Sequence, residues 1–141
     1  MLDMRSPGGA PDGIPDLTDA RERDALAPAA LEAYRRIVEL WGLGNDDAAA
    51  LLDVSPATWG RVKAGGGTRL GQDQMLRLSC LLGIFKALEL LFDGPLRRGW
   101  PMRPNADPAF GGSSPVAFMR REGLPGFGIV RGYLDALRGG A

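Results

Sequence analysis

Apolar side chains recur at steps of three and four residues along most of the chain, which is the spacing of one face of an α-helix. The first such stripe predicts a helix that begins at Pro28, a residue favoured in a first helical turn, and ends at Gly42 and Gly44. Its members are Leu31, Tyr34, Ile37, Val38 and Trp41. Proline and glycine are dense near the start of residues 1–27, so we predict a flexible arm there, with room for a short helix over 17–26.

Two short helices and a tight turn are predicted next. Asn45 is a favourable N-cap for a helix that reaches Leu52. Ser55, followed by a proline, is the expected cap of a helix that ends near Ala64. The three glycines at 65–67 stop that helix. They are not followed by the Lys-Ser/Thr pair of a phosphate-binding loop, and no strand precedes them.

The following helix, predicted from Gln72 to about Phe92, is apolar on nearly every side. A helix of this kind must be buried on nearly every side. In a chain of 141 residues this predicts a central helix and, beyond it, a homodimer interface, because one short chain would struggle to cover both apolar stripes. The lone cysteine, Cys80, is expected to be a buried, inert thiol. The predicted dimer contacts are Leu78, Leu82, Phe85 and Leu88.

Beyond Asp93 the amino-acid composition changes, and proline and glycine become frequent between residues 101 and 115. Two more helices are predicted, one capped by Ser114 and ending at Gly123, the other running from about Phe127 to Arg138. The predicted fold class is therefore all-α. A helix-turn-helix bundle over 28–92 is followed by a small helical C-terminal domain over 93–141.

Composition removes several kinds of chemistry. The chain has no histidine and one cysteine, so histidine-activated nucleophiles, a disulfide within the chain and a thiolate zinc cluster are excluded. We expect a protein that acts by binding rather than as an enzyme, with no metal and no cofactor. Its 17 basic and 17 acidic residues balance, which allows a local basic face but not a generally basic surface.

Neither a signal peptide nor a membrane-spanning stretch is evident, so we expect no membrane association and a cytoplasmic location.

Residues 45–65 fit a helix-turn-helix. Ala49 is small where the two helices would cross, Val54 is the apolar turn residue, and Trp59 and Val62 would face inward. Such a motif lays its second helix in the major groove of DNA. The alternative is a plain helical hairpin with solvated charges. The predicted DNA-binding residues are Ser55, Pro56, Ala57, Thr58, Gly60, Arg61, Lys63 and Arg69.

The C-terminal region carries a more specific pattern: Arg103-Pro104-Asn105, Pro108, Phe110-Gly111-Gly112 and Ser114-Pro115, with a closing stretch over 130–140. In these motifs the chain resembles the Xre/MbcA/ParS-type antitoxins, and upstream residues 70–84 resemble the family's connecting helix. The resemblance implies an antitoxin of a RES–Xre toxin–antitoxin pair. The toxin of such a pair is a RES-domain enzyme that destroys NAD, the antitoxin covers its active site, and the complex represses its own operon. NAD would then be the substrate of the partner.

We therefore expect the region after Asp93 to bind the toxin, with its closing segment as a plug. On the alternative interpretation, the closing helix only completes the core of the antitoxin. Two other functions are a stand-alone helix-turn-helix regulator without a toxin and, least supported by the residues, an enzyme or small-molecule carrier. The predicted toxin-binding residues are Trp100, Phe110, Arg131, Tyr133, Arg138, Gly139, Gly140 and Ala141.

Overall fold

The computed structural model describes residues 15–139, which form seven α-helices and two short 3₁₀ turns and contain no strand. The 3₁₀ turns are Trp100–Met102 and Pro108–Phe110. The predicted all-α class is confirmed. The helices are α1 Ala20–Trp41, α2 Asn45–Leu52, α3 Pro56–Lys63, α4 Gln72–Leu91, α5 Gly94–Gly99, α6 Pro115–Glu122 and α7 Leu124–Gly139.

Helix α1 starts eight residues earlier than predicted, at Ala20, and Pro28 lies in its interior. The prediction that the first helix begins at Pro28 is therefore wrong. A proline inside a helix removes one backbone hydrogen bond and costs about 3 kcal/mol. The helix continues through it because buried side chains on both sides, at Ala27 and Leu31, hold the element against the core. The first 14 residues of the predicted arm lie outside the described part of the chain.

Helices α2 and α3 form the predicted helix-turn-helix. Ser55 caps α3, its side chain accepting a hydrogen bond from the Thr58 backbone N–H. Asp53 ends α2 in the left-handed conformation, at φ 61°, which lets the chain reverse within three residues. The N-cap of α2 is Gly44 rather than Asn45, and Asn45 is the first residue of the helix. Its amide is free for another contact, described below.

Helix α4 is the central element, as predicted, and it packs against α1, α2 and α7. These helices cover most of both apolar stripes within one chain. Leu88 is 0% exposed and has no surface left for a second subunit, so its assignment as a dimer contact is wrong, whereas Leu78, which is 1% exposed, lines an open groove between α1 and α4 that is described below. Leu82 and Phe85 remain partly exposed.

The C-terminal helices enclose a small aromatic cluster. The rings of Trp100, Phe110, Phe118 and Tyr133 meet in stacked and edge-to-face pairs with centroids 5.1–6.2 Å apart. Ser114 caps α6 and Gly123 ends it, as predicted. Helix α7 starts at Leu124, three residues before the predicted position, because its first turn packs directly against α6.

The buried side chains on both sides of residue 93 form one continuous hydrophobic core, which extends from Ala27 to Leu134. Helix α4 passes through it and contributes side chains to both parts. Within residues 15–139, no helix has the combined length and apolarity needed to span a bilayer.

This shared core leads to a prediction about cooperativity. Replacing Leu81, which is fully buried in α4, by alanine should destabilise the protein by about 2–5 kcal/mol through lost burial and the cavity left behind. Thermal unfolding followed by near-UV and far-UV circular dichroism should still show one transition. Leu90→Ala is the matched control on the same helix, since Leu90 is 70% exposed and the change should stay within about 0.5 kcal/mol. Two separate transitions in the Leu81 variant would contradict a single core.

Candidate functional site

Helix α3 presents most of the predicted DNA-binding residues to solvent. Trp59 and Val62 point into the core, as the motif requires. Thr58 is half-buried, and Arg69 lies on the loop that follows α3. The structure therefore keeps this face open for contact with a large partner. Its exposed residues are Ser55, Pro56, Ala57, Gly60, Arg61, Lys63 and Arg69.

Polar side chains from two other helices hold α3 in place. The Asn45 amide oxygen accepts hydrogen bonds from Trp59 Nε1 at 3.3 Å and from Lys63 Nζ at 3.0 Å. Arg35 in α1 donates to the Val62 carbonyl at 3.1 Å, near the end of α3. Sequence reasoning missed both roles, because the partners are 14 to 27 positions apart and no local pattern links them.

The two arginines on this face make only weak internal pairs. Arg61 Nη2 lies 3.4 Å from Thr58 Oγ1. Arg69 Nη2 lies 3.3 Å from an Asp24 carboxylate oxygen, and the Arg69 side chain is 86% exposed. Exposed ion pairs of this kind contribute about 0–1 kcal/mol, so an incoming phosphate can replace the internal partner. There is no acidic residue between Ser55 and Leu70, which keeps the face locally positive.

The turn before α3 is anchored from outside the motif. Gln74 in α4 donates to the Asp53 carbonyl at 2.8 Å, and Arg77 donates to the Leu51 carbonyl at 3.2 Å. The Arg77 side chain is only 12% exposed, and its guanidinium lies 5.2 Å from the ring centroid of Phe127 in α7. One side chain thus contacts both the end of α2 and the first turns of the closing helix.

The three aromatic residues predicted to bind the toxin are buried or half-buried in the structure. Trp100 and Phe110 are buried in the aromatic cluster, so their assignment as toxin contacts is wrong; they are core residues. Tyr133 is half-buried and stacks on Trp100 at 6.2 Å. Burial and the nearby Asp107 carboxylate raise the pKa of the Tyr133 hydroxyl, so it stays protonated at neutral pH.

Arg131 and Arg138 share one acidic partner, Asp135. Arg131 Nε lies 3.4 Å from one carboxylate oxygen of Asp135 but makes no hydrogen bond to it, and Arg138 Nη1 lies 3.8 Å from the other. The Arg131 guanidinium also lies directly over Gly83 in α4, where any Cβ would overlap it. The Arg131 guanidinium is therefore partly occupied by contacts with Gly83 and Asp135 of the same chain, whereas Arg138 and Gly139 are exposed. Gly140 and Ala141 lie outside the described residues.

An open groove of about 650 Å³ lies along the line where α1 and α4 meet. Its lining is mostly apolar and includes Leu26, Leu82 and Phe85, with Lys86 and Arg131 at its charged positions. The two predicted dimer contacts that remain partly exposed are thus together in one concave surface.

Cys80 is half-buried rather than fully buried, and burial raises the pKa of its thiol despite the opposing charge of Arg131.

Two family models cover residues 20–140 except for 84–86. Residues 20–83 match the antitoxin Xre-like helix-turn-helix domain, and residues 87–140 match the antitoxin Xre/MbcA/ParS C-terminal toxin-binding domain. This chain belongs to the Xre/MbcA/ParS family of antitoxins. The resemblance drawn from the sequence motifs is confirmed, and the gap between the two matches falls inside α4.

The antitoxin is also similar to an uncharacterized protein, y4oB, of Sinorhizobium fredii (strain NBRC 101917 / NGR234). The two are 43% identical over 119 residues, which cover 82% of this chain and 89% of the relative. No solved structure matches the antitoxin.

The open basic face of the antitoxin leads to a prediction about salt dependence. If Arg61 and Arg69 contact phosphates, Arg61→Ala and Arg69→Ala should each weaken DNA binding and reduce the slope of log affinity against log salt by about 1. Asp24→Asn should strengthen binding, because Arg69 loses its internal competitor. Fluorescence anisotropy with a labelled duplex from upstream of the antitoxin gene measures these effects. Arg98→Ala, an exposed arginine of α5, is the control. Unchanged slopes in both arginine variants would remove this face from DNA binding.

Proposed function

We propose that this antitoxin neutralises a RES-domain toxin that consumes NAD, by covering the active site of the toxin. We also propose that it binds operator DNA as a homodimer and so represses its own operon. The observation that carries the proposal is the pair of family matches joined by one helix: a helix-turn-helix over 20–83 and a toxin-binding domain over 87–140. The choice of a RES toxin rests on the resemblance of the C-terminal motifs.

The operator half of the proposal is supported by the geometry of α3. Its N-terminal turn, at Ser55 and Ala57, is solvent-exposed, which suits the position of a recognition helix whose first residues meet base edges. Arg61 is the side chain best suited to reading a guanine, and Lys63 and Arg69 suit phosphates. With one strong base reader on the face, the shape of the DNA contributes much of the specificity.

The homodimer is supported by the groove between α1 and α4. A second copy would cover Leu82 and Phe85, which residues 15–139 leave partly exposed. Dimers of helix-turn-helix proteins bind two half-sites about one helical turn apart, so a two-fold subunit arrangement matches a palindromic operator.

Neutralisation can be tested with the RES-domain protein encoded beside the antitoxin gene. We expect an equimolar amount of the antitoxin to reduce NAD consumption by that enzyme to background, because the C-terminal domain blocks substrate access. Arg61→Ala should inhibit equally well, since Arg61 lies on α3, outside the residues 87–140 that match the toxin-binding domain. An antitoxin that binds its operator but leaves NAD consumption unchanged would instead support a stand-alone regulator.

Dimerisation is tested by placing a charge in the groove. Phe85→Glu should convert a dimer to a monomer at micromolar concentration in sedimentation velocity, because an apolar contact would be lost and a charge would have to be buried in the interface. Leu96→Glu is the matched control, an exposed leucine of α5 that does not line the groove. Circular dichroism must show that both variants keep their helix content. A wild-type protein that sediments as a monomer would refute the proposed dimer.

A further inference from the structure

The loop that follows helix α3 contains backbone donors that the fold does not use. Gly65 has a φ of 101°, and a Cβ on Gly66 would lie 2.9 Å from the Arg61 carbonyl oxygen, so these two glycines shape the turn. Gly67 has neither constraint. The backbone N–H groups of residues 67–69 donate to no backbone carbonyl within residues 15–139. Three exposed or half-exposed residues thus offer hydrogen-bond donors directly after α3.

An open pocket of about 440 Å³ lies between this loop and helix α1. Arg35 of α1 and Arg69 of the loop line it, together with Thr68 and the glycines at 65–67. Asp24 is the acidic member of the lining, and its carboxylate lies 3.3 Å from Arg69 Nη2 in an exposed pair. Two guanidinium groups against one carboxylate leave the pocket with a net positive charge, which favours an anion.

The pocket lies at the C-terminal end of α3, where the helix dipole would normally repel an anion. Here the last carbonyls of the helix are already occupied. The Arg61 carbonyl accepts from the Gly66 N–H at 2.8 Å, and the Val62 carbonyl accepts from the Gly65 N–H at 2.9 Å and from Arg35 Nη1 at 3.1 Å. A guanidinium has five N–H donors, so Arg35 offsets the negative end of α3 and keeps donors for a second ligand.

The pocket continues the face that α3 presents to solvent. Arg61 and Lys63 are exposed on the helix, and the Arg69 side chain is 86% exposed. Helix α3 has eight residues and is therefore about 12 Å long, which is about the width of the major groove of DNA. When the first turn of the helix meets base edges, the loop after its last turn reaches the phosphates that border the groove.

We propose that the pocket between α1 and the loop binds one phosphate of the DNA backbone, with Arg35, Thr68 and the N–H groups of residues 67–69 as its ligands. The inference rests on the operator half of the proposed function and adds a contact from α1, outside the helix-turn-helix. Arg35 supplies the charge, and the hydroxyl and the loop N–H groups donate hydrogen bonds to the phosphate oxygens. Such a contact reads no base, but it fixes the register of α3 in the groove.

The DNA backbone is the occupant we favour over a free phosphate ion. A site for a small ligand encloses most of that ligand, whereas this pocket is open and the glycines at its edge are exposed. A phosphate of a duplex is held in place by the contacts that α3 makes elsewhere on the same DNA, so a shallow site with a few donors is enough.

Arg35→Gln and Thr68→Ala test the site in the full chain. Glutamine keeps an N–H for the Val62 carbonyl but removes the charge. Affinity for a labelled duplex from upstream of the antitoxin gene should therefore fall about tenfold, and the slope of log affinity against log salt should fall by about 1. Thr68→Ala removes a hydrogen bond but no charge, so affinity should fall about fivefold or more with the slope unchanged. Arg36→Gln is the matched control, the next residue of α1, exposed and outside the pocket lining. It should change neither quantity.

A series of duplexes locates the phosphate. In each duplex one backbone phosphate is replaced by an uncharged methylphosphonate. At one position the replacement should weaken wild-type binding, and Arg35→Gln should cause no further loss there, because both changes remove the same contact. Arg61→Ala should keep its full effect at that position. Inorganic phosphate at millimolar concentration is the probe for a free anion, and it should change the melting temperatures of the wild type and of Arg35→Gln equally.

Several results would overturn the inference and leave operator binding by α3 intact. One is an additive effect of Arg35→Gln at every methylphosphonate position. Another is wild-type affinity in Thr68→Ala, which decides the matter even where circular dichroism shows that Arg35→Gln has lost helix content. Stabilisation by inorganic phosphate that disappears in Arg35→Gln, with additive effects on DNA, would assign the pocket to a free anion instead. A wild-type protein that binds none of the upstream duplexes would refute the operator half of the proposed function itself.

Discussion

The burial of helix α4 is the constraint on which the rest of this structure depends. Its side chains are apolar on nearly every side, and neither half of the chain alone could cover them. Helix α1 packs on one part of its surface and α7 on another, so the helix-turn-helix and the toxin-binding helices share a single core. The hydrophobic effect acts on the total apolar area removed from water, and here it ties two functional parts into one folding unit.

Polar contacts from α4 and α6 fix the orientation of α2 and of the turn that follows it. Gln74 and Arg77 bind backbone carbonyls at the end of α2 and in the turn, and Arg120 of α6 pairs with Asp47 of α2 at 2.7 Å. Carbonyls at a helix end have no partner within the helix, so a donor from a neighbouring element both satisfies them and sets the angle at which the chain leaves. The turn between α2 and α3 is thus positioned partly by Gln74 and Arg77, which lie outside the motif, while Arg120 of the C-terminal domain contacts the first turn of α2.

The glycines of the chain separate into groups by what surrounds them. Gly42, Gly111 and Gly123 allow a left-handed or otherwise positive φ at the end of a helix. Gly83 and Gly126 leave room for Arg131 and Glu122. Gly60, Gly128 and Gly132 are helical and exposed, and a Cβ at any of them would meet nothing within 4 Å among the described residues. A glycine that the fold does not need is informative because it has a known cost in helix stability.

The sequence by itself determined the helices of α2 to α4 and α6, the caps at Ser55 and Ser114, the helix-turn-helix and the family. All of these depend on local spacing and on short motifs that a linear reading contains. The tertiary structure alone decided that α1 continues through Pro28, that Leu78 and Leu88 are covered by the same chain, and that Trp100 and Phe110 belong to the core. It also placed Arg131 over Gly83, 48 positions away along the chain. Periodicity reveals which face of a helix is apolar, but what covers that face depends on contacts between distant residues, and these form only when the whole chain has packed.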